Sequence, residues 1–137
     1  MIHTFTVEGE PVGKGRPRFT RNGQAYTPKK TRDYEAKVRA AYLQSGGPDF
    51  AERPVCMSIA FAHGMAKSWP KKKRNELRGE VCTGRSDIDN CVKSIMDGLL
   101  GVAYQDDRSV VSVSAFKRWA EEGSARIMIY DYKGDEE

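Results

Sequence analysis

Apolar and polar side chains alternate in four segments of the chain, which predicts four β-strands. In residues 2–8, Ile, Phe and Val alternate with His and Thr. The segment 55–61 carries Val, Met, Ile and Phe, and Val111, Val113 and Ala115 alternate with serines in 109–119. After a turn at Gly123, the segment 124–132 has the composition of a last strand.

A segment rich in Gly, Pro and basic residues, 9–30, follows the first predicted strand. Within it, Asn22-Gly23 lies between Phe19 and Tyr26, and this dipeptide is the strongest short-range signal of a β-hairpin. We therefore predict a mobile or ligand-facing basic hairpin over 18–27. Phe19 and Tyr26 are candidates for stacking on bases, and a cross-strand aromatic pair explains them equally well.

Helical periodicity appears twice, and a short basic helix is predicted between the two. The first helix begins at a cap, Thr31 or Asp33, and runs to about residue 45. Its apolar face comprises Tyr34, Val38, Ala41 and Tyr42. The basic helix spans about 70–78, since proline suits a first helical turn. The best-defined helix spans 87–100, with Gly101 as its C-terminal cap. Its apolar stripe comprises Ile88, Val92, Ile95 or Met96, and Leu99.

The predicted order is a strand, a hairpin, a helix, a strand, two helices and two strands. This order predicts an α/β (α+β) fold with helices packed on a small mixed β-sheet. Because 137 residues fit one domain, we expect a single domain over 1–137, with an acidic C-terminal tail at about 133–137. No segment approaches the roughly 20 consecutive apolar residues of a membrane helix. The N-terminus lacks the pattern of a secretory signal, so we expect a cytoplasmic protein with no membrane partner.

Cysteine and histidine are scarce in this chain. Cys56, Cys82 and Cys91 are odd in number and lack Cys-x-x-Cys spacing, which argues against a zinc site or a disulfide framework. His3 and His63 are the only histidines, and His63 is expected to be structural. We therefore expect any chemistry to depend on carboxylates.

Charge is distributed unevenly around a net value of +4. Residues 1–45 hold nine basic and four acidic side chains, residues 67–78 hold six and one, and residues 121–137 hold two and six. This asymmetry indicates a polyanionic partner on one side of the molecule, although charge runs are often only solvated surface.

Acidic residues surround the last predicted helix. Asp87 and Asp89 flank Ile88 at its start, and Asp89 begins a row at i, i+4, i+8 along one helix face. The full set is Asp87, Asp89, Lys93, Asp97, Asp106 and Asp107. Each member has a plain structural explanation: a helix cap worth about 0.5–2 kcal/mol, an Asp89–Lys93 surface pair worth about 0.3–0.5 kcal/mol, or a turn before a strand. Together, in a basic chain, they favour a metal site.

Magnesium prefers oxygen ligands and needs only a few protein carboxylates besides waters and phosphate oxygens. Asp87, Asp89 and one of Asp106 and Asp107 supply such a set. Bare carboxylates repel a phosphodiester, so acidic residues in a nucleic-acid enzyme make sense mainly when a metal reverses the local charge. The sequence therefore favours a metal-dependent endonuclease.

The string Ser86-Asp87-Ile88-Asp89-Asn90, with Lys93, Asp97-Gly98-Leu99 and Tyr104-x-Asp106-Asp107, resembles the RusA family of Holliday-junction resolvases. The segments 13–19 and 26–28 are similar to the N-terminal region of the members found in phages and prophages. The resemblance covers nearly the whole chain in motif order. Ser86 stands where the family commonly has Pro, and Cys91 where it commonly has Leu.

The resemblance implies a small homodimer that uses Mg²⁺, with Mn²⁺ as a possible substitute, to nick opposing strands of a four-way junction in recombination and repair. It implies metal binding by Asp87, Asp89 and Asp107, with Asp106 as the less certain neighbour, and a catalytic role for Lys93. Phosphate contacts are expected, on charge, from Lys14, Arg16, Arg18, Arg21, Lys29, Lys30, Lys71, Lys72, Lys73 and Arg74. Trp69 and Trp119 are expected to pack rather than to stack on bases.

Two alternatives remain at this point. A non-catalytic junction-binding or DNA-binding protein would explain the basic surface. A metal-dependent Asp-x-Asp transferase is a weaker alternative, since no Gly-rich phosphate loop follows a strand, and we expect no nucleotide cofactor.

Overall fold

The computed structural model describes residues 1–134, so residues 135–137 of the predicted acidic tail lie outside the described part of the chain. The elements follow the predicted order. They are β1 (Ile2–Glu8), β2 (Arg18–Phe19), β3 (Ala25–Tyr26), α1 (Lys29–Gln44), β4 (Val55–Gly64), α2 (Lys71–Leu77), α3 (Ile88–Leu99), β5 (Val110–Ala120) and β6 (Ser124–Asp131). Within residues 1–134, no helix is both long enough and apolar enough to span a bilayer.

A four-stranded mixed sheet in the order β1-β6-β4-β5 forms the centre of this α+β fold. β6 pairs antiparallel with both β1 and β4, whereas β4 and β5 are parallel. A parallel pair needs a crossover, and the segment containing α2 and α3 provides it. The α1 and α3 helices share one buried cluster with one face of the sheet, to which Ile59, Ile127 and Phe5 contribute. The predicted fold class is therefore confirmed.

The buried face of α3 includes Ile95 and Leu99 of the predicted stripe and differs from it at the start of the helix. Cys91, Ile95 and Leu99 are fully buried, whereas Ile88 is 37% exposed. The face of α3 that carries small residues packs against α1, because Gly98 lies directly against that helix. A Cβ on Gly98 would lie 2.8 Å from Val38 Cβ and 3.0 Å from the Glu35 carbonyl oxygen. Close contact between the two helices therefore decided which face α3 buries.

The start of α1 also corrects the prediction. Pro28, not Thr31 or Asp33, is the N-cap residue, and its side chain makes no capping hydrogen bond. Thr31 lies inside the helix and is 2% exposed, and its hydroxyl accepts a hydrogen bond from the Gly15 amide at 3.0 Å. The threonine that resembled a cap thus fastens the Gly-rich segment to α1.

The basic hairpin forms as predicted, with Gly23 at φ +80° in its turn. Its register overturns the cross-strand aromatic pair. Arg18 lies opposite Tyr26 and Phe19 lies opposite Ala25, so the two aromatic rings point to opposite faces. Phe19 is 69% exposed and Tyr26 is 45% exposed.

Gly98→Ala should lower the free energy of unfolding by about 1–3 kcal/mol, because the added methyl group overlaps Val38 and the α1 backbone. Urea denaturation measures the change. In a Val38→Ala background the overlap is partly relieved, so the same substitution should cost less. A gain in stability from the higher helix propensity of alanine would contradict this account of the helix contact.

Candidate active site

Asp87 and Asp89 lie where the chain enters α3. Asp87 is the N-cap residue with an extended backbone, yet its carboxylate makes no capping hydrogen bond. Its contact is a distant one, with Asn90 Nδ2 donating to Oδ2 at 3.4 Å. Asp89 occupies the first turn, and both carboxylates line one groove with Ile88 and Phe116. Asp87 therefore lacks the hydrogen bond that a capping role would give it, and its convergence with Asp89 on one metal ion stays a prediction.

The segment before Asp87 is fixed by two basic side chains that the sequence analysis did not single out. Lys117 Nζ donates to the carbonyl oxygens of Gly84 and Ser86, each at 2.8 Å. Arg85 adopts a positive φ of 67° and donates from its guanidinium to the Gly64 carbonyl oxygen at 2.7 Å. Such backbone strain in a non-glycine residue is found preferentially at functional sites. The signal for Lys117 was its place in β5, on the same side of the strand as Ala115, which packs against the core.

Lys93 lies one turn further along α3. Its ammonium nitrogen is 3.1 Å from Asp97 Oδ1 and 3.8 Å from Asp107 Oδ2. Within residues 1–134, Asp97 and Asp107 are the only carboxylates that form an ion pair with Lys93, so the Asp89–Lys93 surface pair does not form. The contact with Asp107 brings the segment after α3 to the helix face that carries Asp89 and Lys93.

Asp106 and Asp107 have different surroundings. The Asp106 carboxylate accepts hydrogen bonds from the Arg108 amide at 2.9 Å and from its guanidinium at 2.7 Å. These hydrogen bonds from Arg108 lower the pKa of Asp106 to about 2. Asp106 thus forms the turn that leads into β5, as its plain structural explanation proposed, whereas the side chain of Asp107 is 41% exposed beside Lys93.

The Gly-rich segment passes between the starts of α1 and α3. The Lys14 amide donates to the Asn90 carbonyl oxygen at 2.9 Å. A Cβ on Gly13 would lie 3.3 Å from Asn90 Cβ, and one on Gly15 would lie 3.0 Å from Pro28 Cγ. The two glycines therefore let the backbone approach both helices, and the motif Gly13-Lys14-Gly15 is a docking segment.

A cleft of about 580 Å³ lies beside this segment. Asp87 lines it together with four predicted phosphate-binding residues, Lys14, Arg16, Arg18 and Lys30. Arg21 and Lys29 are exposed nearby in the chain, and Lys29 pairs with Asp33 at 2.6 Å. Lys14 differs from the other five, because its ammonium contacts Glu35 at 2.7 Å and Asp97 at 2.9 Å.

The basic helix α2 carries the remaining predicted DNA contacts. Lys71 and Lys72 are exposed, and Lys73 lies 3.9 Å from the centre of the Trp69 ring. Arg74 is paired with Glu121. Trp69 packs edge-to-face on Trp119 with ring centres 5.2 Å apart, so the expected packing role of the two tryptophans is confirmed.

The structural role of His63 is also confirmed. The ring is fully buried, and its Nδ1 lies 2.8 Å from Glu10 Oε1. The other carboxylate oxygen of Glu10 accepts a hydrogen bond from the Gly64 amide at 2.8 Å. The sequence analysis did not find Glu10, because its partner lies 53 residues away in the chain.

The donors at the start of α3 fit a hard divalent cation. Asp87 and Asp89 supply oxygen ligands that no capping bond or ion pair occupies within the described residues. Magnesium is commonly bound by one or two protein carboxylates, with waters and phosphate oxygens completing its coordination. In residues 1–134, no group of three or more His, Cys, Asp or Glu side chains is arranged to hold a metal ion. The set of Asp87, Asp89 and Asp107 therefore stays a prediction.

Comparisons with known proteins agree with this architecture. The family model of endodeoxyribonuclease RusA matches residues 8–130. The chain is also 33% identical over 132 residues to the uncharacterized protein YqaN of Bacillus subtilis (strain 168), covering 91% of this chain and 93% of YqaN. The matched region includes the Gly-rich segment, the hairpin, the carboxylates around α3 and most of the sheet. The chain belongs to the RusA family of endodeoxyribonucleases.

Proposed function

We propose that the protein resolves Holliday junctions by paired nicks, using Mg²⁺ or, as a substitute, Mn²⁺. The observation that carries this proposal is a pair of carboxylates, Asp87 and Asp89, that make no capping bond or ion pair within the described residues and lie next to a basic cleft. Family membership narrows the reaction to DNA phosphodiester hydrolysis. The cleft and the carboxylates together suit a phosphate backbone that must approach a negatively charged site with metal in between.

Asp87, Asp89 and Asp107 would hold the metal, with Asp106 contributing less because Arg108 occupies its carboxylate. A bound divalent metal supplies an activated water and stabilises charge on the phosphoryl and leaving oxygens. The residues of the chain orient the phosphate and keep its surroundings positive. Lys93 places its ammonium beside Asp107 and would stabilise charge on the phosphate under attack.

DNA contacts are assigned to the predicted cations other than Lys14 and Arg74, which pair with partly buried carboxylates. Lys29 also pairs with a carboxylate, that of Asp33, but both side chains are exposed. Arg16, Arg18 and Lys30 line the cleft, and Arg21 and Lys29 extend this surface along the hairpin and the start of α1. Lys71, Lys72 and Lys73 would hold a second stretch of backbone. Phosphate contacts of this kind position branched DNA without reading its sequence.

A homodimer completes the proposal, because two symmetric nicks need two related active sites. β5 is one of the two outer strands of the sheet, and it exposes Val111, Val113 and Phe116. Exposed apolar edge strands are sites at which a second chain can pair. We therefore place the contact between two copies at this edge.

Asp89→Asn should reduce cleavage of a synthetic four-way junction with Mg²⁺ by about two orders of magnitude or more, since it removes one charged metal ligand. Asp49→Asn is the matched control, because it removes the same charge at an exposed position where asparagine can still accept the hydrogen bond from the Ala51 amide. Equal cleavage by wild type and Asp89→Asn would refute the role of Asp89. Junction binding by wild type without product, with either metal, would indicate a non-catalytic binding protein.

Asp87→Asn should abolish cleavage but preserve or strengthen junction binding, because one negative charge facing the cleft is removed. Gel-shift titration in EDTA, without divalent metal, measures binding apart from chemistry and from any bridging by a metal ion. Circular dichroism establishes that the variant is folded. Markedly weaker binding by a folded Asp87→Asn protein would contradict the assignment.

Arg18→Ala should weaken junction binding and reduce the slope of log K against log salt by about one, since each phosphate contact releases counterions. Titrations between about 50 and 200 mM salt measure the slope, because the affinity of phosphate-contacting proteins changes strongly over this range. Arg53→Ala, an exposed cation that lies outside the cleft and pairs with Asp131, is the control and should keep the wild-type slope. An unchanged slope in Arg18→Ala would exclude Arg18 from the phosphate contacts.

A further inference from the structure

A continuous row of ion pairs joins the Gly-rich segment to the face of α3. Glu35 Oε2 lies 2.7 Å from the Lys14 ammonium, which lies 2.9 Å from Asp97 Oδ2. The second oxygen of Asp97 lies 3.1 Å from the Lys93 ammonium, which lies 3.8 Å from Asp107. Two lysines and three carboxylates therefore alternate in sign from α1 to the segment that leads into β5.

The inner half of this row is withdrawn from solvent. The side chains of Glu35 and Asp97 are each 17% exposed, and that of Lys14 is 24% exposed, whereas Lys93 is 50% exposed. Partial burial by itself would lower the pKa of Lys14, but its hydrogen bonds and attraction to Glu35 and Asp97 outweigh it and raise the pKa. Lys14 therefore carries its charge at all physiological pH values, and the inner end of the row is less exposed to solvent than the outer end.

Asp97 occupies the centre of the row because each of its oxygens contacts a different lysine. An unrestrained lysine side chain samples many rotamers, and restraining it carries an entropy cost of up to about 2 kcal/mol. If a fixed carboxylate already holds the ammonium in the folded protein, this entropy is lost on folding and not when the DNA binds. The backbone of Asp97 is fixed in turn, since it directly precedes Gly98 at the close contact with α1.

We propose that Asp97 and Lys14 are positioning residues: Asp97 holds the Lys93 ammonium beside Asp107, and Lys14 holds Asp97. This inference rests on the proposed function, in which Lys93 acts on the phosphate. It also reassigns Lys14, which the sequence grouped with the DNA contacts. Lys14 lines the cleft, but its ammonium is already paired with Glu35 and Asp97.

Asp97→Asn separates positioning from stability. The variant keeps the size of the side chain but loses the charge, and its amide offers one acceptor oxygen where Asp97 offers one oxygen to each lysine. Single-turnover cleavage of a saturated four-way junction should slow by about 10- to 100-fold, the range expected when a group that acts on the phosphate is misplaced. Junction affinity in Ca²⁺ should change less than about twofold, since Asp97 contacts no cation of the cleft other than Lys14. Asp49→Asn is the control for the loss of one charge.

The mobility of Lys93 gives a readout that does not depend on cleavage. Carbon-13 relaxation of the methylene next to each ammonium should show Lys93 restrained in the wild type and mobile in Asp97→Asn. Exposed Lys72 provides the reference for an unrestrained side chain. An unchanged order parameter for Lys93 in the folded variant would overturn the proposal, even if cleavage were lost.

Lys14 is tested with a pair of variants. Lys14→Met should slow single-turnover cleavage, and Lys14→Arg should restore most of it, because a guanidinium can bridge both carboxylates. Neither variant should change the salt slope of junction binding, in contrast to Arg18→Ala. A slope reduced by about one in Lys14→Met would show that Lys14 is a DNA contact and would overturn its reassignment.

The two levels of inference fail in different ways. If the wild type cleaves no junction, the proposed function fails, while the relaxation measurement still reports whether Asp97 restrains Lys93. If the wild type cleaves and Asp97→Asn cleaves at the same rate, the function stands and the positioning role of Asp97 is wrong. Slower cleavage by Asp97→Asn with an equal loss of affinity would also contradict it.

Discussion

The contact between α1 and α3 at Gly98 determines the orientation of everything at the candidate site. Because no side chain separates Gly98 from Val38, α3 buries Cys91, Ile95 and Leu99 against the sheet and α1. A helix that buries one face directs the opposite face outward. Asp89 and Lys93 lie on that outward face and Asp97 on its partly buried flank, so the helix packing that stabilises the fold also orders the charges of the site. Cys91 is fully buried in the core, where it fills the place of the larger leucine that the family commonly has.

Charge compensation is the second constraint on this arrangement. Carboxylates at the start of a helix, beside a cleft that attracts phosphate, repel each other and any nucleic acid. The chain offsets part of this repulsion internally, with Arg108 on Asp106 and Lys93 between Asp97 and Asp107. Asp87 and Asp89 are left without such partners within the described residues, which distinguishes them from the other aspartates around α3. A carboxylate pair that the fold leaves uncompensated is the place where a cation contributes most.

The Gly-rich segment connects these two constraints. It is held to α1 through Thr31 and to α3 through the carbonyl oxygen of Asn90, and Lys14 reaches between the helices to Glu35 and Asp97. Arg16 and Arg18 leave this anchored segment toward the cleft. Residues of one short motif thus have opposite tasks, since Lys14 stabilises the scaffold and its arginine neighbours remain available to a polyanion. Net charge alone does not distinguish these tasks, because both kinds of residue contribute equally to it.

The sequence by itself determined the order of elements, the mixed sheet, the hairpin at Asn22-Gly23 and the row Asp89, Lys93, Asp97, because alternation, turn dipeptides and helical spacing are local properties of a chain. Its motifs also pointed to the family that the comparison establishes. Only the tertiary structure decided which face α3 buries, that Thr31 fastens a loop instead of capping a helix, and that Phe19 and Tyr26 lie on opposite faces of the hairpin. It alone separated Asp106, which forms a turn with Arg108, from Asp107 beside Lys93, and Lys14 from the exposed cations. These outcomes depend on pairs of residues far apart in sequence or on a register set by the backbone, and neither is encoded in the spacing of residue types along the chain.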